Sequence, residues 1–337
     1  AMAKLATSVL YSNPFVSKRV IENKKALEKQ AIIIANHTSF LDTLAIALVT
    51  PKVVFLVNDW VYKSPIFGQL AKVAGYYPVS KGVDGSLDHL RKKVDQGYSL
   101  IVFPEGRRMY SNRIGRFHKG AFFLAKELKM DILPLYIHGN AEVLPKGDFI
   151  IYDGAITVKV GDRISATDPI FEEDAKALTK YVSTYYRNEF QQLRNELEGV
   201  DYFKQQLLNN FIYKSKKTYS NVRNDFELNK ELYHQLNDVV PLKIKMLHIG
   251  NDYGQLDIFL KYKSNDRKVY SYITDNDKRA IAKNNYVGKD YPITYIDSLE
   301  HIDKAKMLLL GFEIDELNAG LDLNSFDLIV ILSKTFD

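Results

Sequence analysis

Cysteine is absent from all 337 residues. A disulfide framework, a cysteine-ligated zinc site and a cysteine nucleophile are therefore excluded, and the composition fits a reducing compartment. Nowhere does the chain run through about 18 apolar residues, so no membrane-spanning helix is expected. No signal-peptide core follows the N-terminus, where Ala1-Met2-Ala3 reads as a cloning remnant ahead of native sequence. The chain is thus expected to be a piece of something longer. A large charge of one sign is also lacking. Lys and Arg number 46 against 41 Asp and Glu, leaving +5, too small an excess to argue for a nucleic-acid partner. What is there is 46% hydrophobic and 26% charged, an ordinary globular composition that excludes disordered and fibrous classes. At roughly 100–200 residues per domain the length suggests about two domains.

Apolar runs alternate with amphipathic segments. Strands are expected at 31–35, 53–57, 99–103 and 132–137, with another ending at 79. Helices are expected at 40–49, from 64 onward, around 87–97 and at 120–130. Asp153-Gly154 between 149–152 and 155–158 carries a two-residue hairpin signal, which adds an antiparallel edge. The whole predicts an α/β layer fold. Residues 172–237 turn helical and polar. Pro241 closes that stretch, and strands at 244–249, 269–273 and 326–332 restart the α/β pattern. Residues 1–30 have a helical period. There Leu5, Val9, Leu10, Phe15 and Val16, interspersed with Lys4, Lys18 and Arg19, suit either an interfacial helix or one packed on the domain.

Two strand ends carry chemistry. The first delivers Asn36-His37-Thr38-Ser39-Phe40-Leu41-Asp42. An imidazole can take a proton from an alcohol while a carboxylate fixes its tautomer and stabilises the imidazolium. Five residues is not same-face helical spacing, so His37 belongs to the turn and Asp42 to the first turn of the helix. The same residues also fit Ser39-x-x-Asp42 as a capping box. The second strand end delivers Phe103-Pro104-Glu105-Gly106-Arg107-Arg108. Arg107, Arg108, Arg113, Arg116 and Lys119 follow with no acid among them. Arg forks bind phosphate oxygens, and a helix start near Gly120 adds donors for an anion. A solvated basic loop is the alternative.

These residues, in this order, resemble the blocks of the glycerolipid (lysophosphatidic acid) acyltransferase superfamily. Asn36, His37 and Asp42 match Asn-His-x4-Asp. Gly75-Tyr76-Tyr77-Pro78-Val79-Ser80-Lys81 stands where the family has Gly-x-x-Phe-Ile-x-Arg. Phe103, Pro104, Glu105, Gly106 and Arg108 match Phe-Pro-Glu-Gly-Thr-Arg-Ser, with Arg107 in place of Thr. Leu133-Pro134-Leu135 matches the fourth block. The resemblance covers roughly residues 10–200. It implies a glycerol-phosphate-acyltransferase-like mixed sheet flanked by helices. It also implies O-acyl transfer from acyl-CoA or acyl carrier protein to a lysophospholipid-like acceptor, with His37 and Asp42 as catalytic residues. Lys81, Glu105, Gly106 and Arg108 would position the acceptor head group. Arg107 is a further substrate-binding candidate, and Arg113, Arg116 and Lys119 would position the head group more loosely or hold donor phosphates. No cofactor is implied beyond the acyl donor. The expected setting is cytoplasmic, peripheral at the inner face of a membrane. With neither a cysteine nor a Gly-x-Ser-x-Gly elbow, direct transfer without an acyl-enzyme is expected. A non-phosphate acceptor such as an acyl-amino-acid lipid, and a non-catalytic lipid- or acyl-carrier-binding module, stay open.

Residues 241–337 resemble the first half of a Rossmann-type methyltransferase. Leu247-His248-Ile249-Gly250-Asn251-Asp252-Tyr253-Gly254 is similar to the loop that turns under S-adenosylmethionine, with Gly250 and Gly254 as the cofactor-binding positions. His248 replaces the family's acid and Asp252 its middle glycine. A degenerate or truncated unit that does not use S-adenosylmethionine is therefore expected. The resulting domain plan is an acyltransferase domain at 1–200, a helical connector at 201–240 and a smaller Rossmann-like α/β domain at 241–337.

Overall fold

The computed structural model describes residues 16–21, 23–50, 52–57, 63, 77–78, 82–109, 113–147, 151–285, 291–299, 305–311 and 322–332. The chain divides into two compact units, Ala1–Arg194 and Asn195–Asp337.

The first unit is built on a seven-stranded mixed sheet. Its strands are β1 (Val16–Ile21), β2 (Ile32–Ala35), β3 (Val53–Val57), β4 (Tyr77–Pro78), β5 (Ser99–Val102), β6 (Ile132–His138) and β7 (Gly154–Val160). Their order is β1-β7-β6-β2-β5-β3-β4. From β6 to β4 all neighbours run parallel; β7 is antiparallel to β6, and β1 is parallel to β7. Central strands β2 and β6 are buried along their whole length, as their unbroken apolar runs require. Helices α1 (Lys24–Leu27), α2 (Leu41–Val49), α3 (Gly82–Asp95), α4 (Gly120–Glu127), α5 (Asn140–Val143) and α6 (Ala175–Leu197) accompany the sheet. Helix α6 buries Leu178, Val182, Tyr186 and Phe190, one stripe at four-residue spacing. Its Tyr186 ring lies 4.6 Å from that of Tyr136 on β6.

Two expectations give way here. Val16–Ile21 is a strand rather than part of a helix, because it completes the sheet edge in register with β7, Val16 opposite Gly154. The rest of the expected interfacial segment, residues 1–15, lies outside the described residues. Asp153-Gly154 does not turn a two-residue hairpin. Residues 151–152 carry no strand, and the Tyr152 N–H donates to the Val143 carbonyl of α5 at 2.8 Å. The antiparallel partner of β7 is β6, reached through α5.

The second unit holds five parallel strands: β8 (Lys245–Gly250), β9 (Lys268–Ile273), β10 (Ile293–Tyr295), β11 (Met307–Leu310) and β12 (Leu328–Ile331). They are ordered β10-β9-β8-β11-β12. Helices α7 (Lys204–Asn209) and α8 (Lys216–Val239) belong to this unit's core rather than bridging to it. Phe203, Leu207, Val222, Phe226, Tyr233 and Leu236 pack with Met246, Phe259 and Leu309. Arg267 fastens them. It is fully buried, and its guanidinium donates to the carbonyls of Asn237, Val240 and Pro241 at the end of α8 and of Leu260 on α9 (Gln255–Lys263). Those at the end of α8 are carbonyls a helix end leaves unpaired, whereas the Leu260 carbonyl also accepts the Ser264 N–H. Helix α10 (Asn276–Lys283) follows β9.

Candidate functional site

Adjacent parallel strands β2 and β5 end side by side, and the segments leaving them form the site. His37 lies in the turn after β2, and Asp42 lies in the first turn of α2. His37 Nδ1 is 2.8 Å from Asp42 Oδ2. The same oxygen accepts the N–H groups of Thr38 at 2.7 Å and Ser39 at 2.8 Å. Asp42 Oδ1 accepts Asn140 Nδ2–H at 2.6 Å. The carboxylate is wholly buried, whereas the imidazole keeps 19% of its surface and stacks on Phe103 with centroids 4.1 Å apart. With Nδ1–H given to the carboxylate, the lone pair is at Nε2. Such an imidazole is oriented and free to accept a proton from a hydroxyl.

The turn itself is held from behind. The Asn36 side chain bonds the backbone of Ile137 in both directions, at 2.8 and 2.9 Å. The buried Tyr186 hydroxyl accepts the Asn36 N–H at 2.9 Å. Glu105, 3% exposed, faces inward. Its Oε1 accepts the His37 N–H at 3.0 Å and its Oε2 the Gly115 N–H at 2.7 Å. Burial pushes its carboxyl up to about 7, against the backbone bonds from Gly115 and His37, which act the other way. A Cβ at Gly115 would fall 2.7 Å from Oε2, so glycine there lets the chain close on the carboxylate. In this geometry each Glu105 carboxyl oxygen accepts one backbone N–H. The residue joins two loops.

Gly106 takes φ +67 beside the His118 ring, the left-handed region glycine adopts without strain. The Arg108 guanidinium lies 3.7 Å above the Phe40 ring, and Lys146 Nζ donates to the Arg108 carbonyl at 3.0 Å. Arg107, Arg113, Arg116 and Lys119 are exposed. Lys119 precedes the first residue of α4. Lys81 lies outside the described residues. Tyr186, Arg187 and Asn140 reach the site unannounced by any local motif. Arg187 Nη2 donates to the Gly115 carbonyl at 2.8 Å, and desolvation, with a contribution from Arg113, lowers its pKa while Glu105 opposes.

In the second unit Gly250 ends β8 and Gly254, at φ +81, precedes α9. His248 Nδ1 is 2.8 Å from Asp257 Oδ1, with both side chains buried. One ligand atom each from His248, Asp252 and Asp257 falls within 4.8 Å of the others, and the His248 Nδ1 has the Asp257 carboxylate as its partner. Burial acts to lower the His248 pKa, but the Asp257 charge and hydrogen bond outweigh it and raise it to about 9.

Residues 16–138 match the family model described as Acyltransferase. That stretch contains both strand ends just described. A 1-acyl-sn-glycerol-3-phosphate acyltransferase of Arabidopsis thaliana chloroplasts is 28% identical over 151 residues, which are 43% of this chain and 42% of that protein. The enzyme of the same name from Cocos nucifera is 29% identical over 154 residues, 44% of this chain and 50% of that protein. The chain thus spans about half the length of the curated relatives it matches. The crystal structure of the 1-acyl-sn-glycerophosphate acyltransferase PlsC from Thermotoga maritima aligns with a TM-score of 0.49 and 21% identity, covering 57% of this chain and 78% of that one.

Proposed function

We propose that the first unit is an O-acyltransferase that moves a fatty acyl group from a thioester to a hydroxyl of a 1-acylglycerol-3-phosphate-type acceptor. The observation that carries this reading is the 2.8 Å contact between the partly exposed His37 and the buried Asp42, within the stretch that matches the Acyltransferase family. His37 Nε2 takes the acceptor's hydroxyl proton, and the oxygen attacks the thioester carbonyl. Collapse of the tetrahedral intermediate breaks the C–S bond. The imidazolium returns its proton to the leaving thiolate, giving an ester and a free thiol. Asp42 stabilises the imidazolium throughout. The donor is acyl-CoA or acyl carrier protein, and no other cofactor enters.

The exposed cations Arg107, Arg113, Arg116 and Lys119, with Arg108 and Lys81, meet the acceptor phosphate or donor phosphates. Substrates of this kind place the reaction at a membrane surface, on the cytoplasmic side. No helix among the described residues is long and apolar enough to cross a membrane, so contact is peripheral in this reading. The test is thiol release from palmitoyl-CoA with lysophosphatidic acid, wild type beside His37→Ala. Turnover that survives in the variant refutes the base assignment.

For the second unit we infer a Rossmann-like, methyltransferase-like fold that has lost its cofactor. Its five parallel strands and the left-handed Gly254 before α9 support the likeness. His248 in place of an acid supports the loss, because its ring is committed to Asp257. Titration calorimetry with S-adenosylmethionine checks this, and micromolar binding overturns it.

A further inference from the structure

We propose that Asn140 is a positioning residue that fixes the plane of the Asp42 carboxylate and so the aim of His37. The inference rests on the acyl-transfer reading above. Asp42 Oδ2 is a hub for three donors, His37 Nδ1 and the N–H groups of Thr38 and Ser39. A hub at one oxygen leaves the carboxylate able to swing, because the terminal torsion of aspartate is soft. The second oxygen is what fixes it. Among the described residues Asn140 is the only partner of Asp42 Oδ1, at 2.6 Å, and the only side chain on Asp42 from outside the turn 36–42.

The chain goes to some length to deliver that amide. Gly139 ends β6 at φ +91, where a Cβ would fall 1.7 Å from the Ala155 carbonyl oxygen. The Gly139 carbonyl accepts the Glu142 and Val143 N–H groups, which makes α5 and turns Asn140 inward to complete burial. Ser39 Oγ donates to the Leu144 carbonyl at 2.9 Å, so α5 is bound to the catalytic turn at both its ends. Among the described residues the Asn140 Oδ1 has no hydrogen-bond partner. The residue is therefore held in place for its donor, not for a reciprocal amide pair.

An amide that donates to a buried carboxylate stabilises the anion without adding charge. Without it the carboxylate draws harder on the neighbouring imidazole proton, so the imidazolium persists to higher pH. Glu105 and Tyr186 are the other titratable groups that feel the Asp42 charge, and both are unaltered by substitution at 140.

The experiment compares the full chain with Asn140→Ala and the isosteric Asn140→Asp. Steady-state thiol release gives kcat and KM, and NMR follows the His37 ring through its titration. For Asn140→Ala the expected result is a kcat lower by about ten- to a hundredfold, KM values within about twofold, and a His37 titration displaced to higher pH. Asn140→Asp puts two carboxyl groups in contact that cannot both ionise. It should lose more activity at pH 8 than at pH 6, which a packing role does not predict. An unchanged His37 titration in Asn140→Ala overturns the proposal, as does a kcat within twofold of wild type. An inactive wild type would instead overturn the acyl-transfer reading, and the ring titration would still decide the role of Asn140.

Discussion

Glu105 offers a prediction in which stability and catalysis are separable. Its carboxyl is buried and held up to about 7, against an ordinary 4.5. Between those values the native state keeps a proton that the unfolded chain releases. Stability therefore falls as pH rises from 4.5 through 7 and levels off above that. At about 1.4 kcal/mol per pH unit the fall is about 3 kcal/mol. In Glu105→Gln that titration disappears. The amide keeps one acceptor for the His37 or Gly115 N–H but turns its NH2 toward the other, leaving one buried N–H unpaired at a cost of about 1–3 kcal/mol. The variant should be clearly less stable than wild type at pH 5, and the gap should close or reverse by pH 8. Urea unfolding followed by the fluorescence of Trp60, the single tryptophan, measures this. Parallel stability curves across that range would refute the burial argument. The kinetic companion is a lower kcat with an unchanged acceptor KM, because the carboxylate holds the His37 backbone. A raised KM with normal kcat would restore Glu105 to the acceptor head group.

Tyr186→Phe removes the acceptor of the buried Asn36 N–H and should cost about 1–3 kcal/mol in the same urea assay. Arg267→Met leaves the carbonyls at the end of α8 without their donor and should cost the second unit about 1–3 kcal/mol per unpaired carbonyl by thermal unfolding; Arg267→Lys should not rescue it, since one ammonium cannot reproduce the fork. His248 sits near 9 against an ordinary 6.5, so its contribution is complete below pH 6.5 and lost as pH rises through 9. Asp257→Asn should flatten that decline in a series of melts from pH 6 to 10.

Much of this was legible in the residues, and the gaps have physical causes. Unbroken apolar runs such as Ile32–Ala35 and Ile132–His138 read directly as buried strands. Strand β11 carries an equally apolar run, Met307–Leu310, but it is only four residues long, and β10 has only three. Helix α8 looked like a connector because its exposed positions are so polar. The buried Val222, Phe226, Tyr233 and Leu236 still recur at helical spacing, and that stripe was the available signal. Local reading also found the turn with His37 and Asp42, since a strand end and a helix start are local features. It did not find Asn140 or Tyr186, which lie 98 and 150 residues from their partners Asp42 and Asn36. Nor did it foresee that Glu105 faces inward, because only the folded chain brings the Gly115 N–H to its carboxylate.

Asp42 shows why two readings of one motif need not compete. Half of the capping box forms beside the histidine contact: Oδ2 accepts the Ser39 N–H and the His37 ring N–H, while Ser39 Oγ accepts the Leu41 N–H rather than that of Asp42. The two roles can be parted by charge. In Asp42→Asn the amide oxygen still accepts the Thr38, Ser39 and His37 donors. Its NH2 then meets Asn140, whose Oδ1, without a partner among the described residues, can be turned toward it by an amide flip. The turn should therefore survive, with a loss of no more than about 1–2 kcal/mol. The imidazolium, by contrast, loses its counter-charge, and in the proposed mechanism turnover should fall by about a hundredfold or more. A stable variant with near-normal kcat would show that Asp42 serves the helix start alone; a variant that fails to fold would show that the charge itself holds the turn.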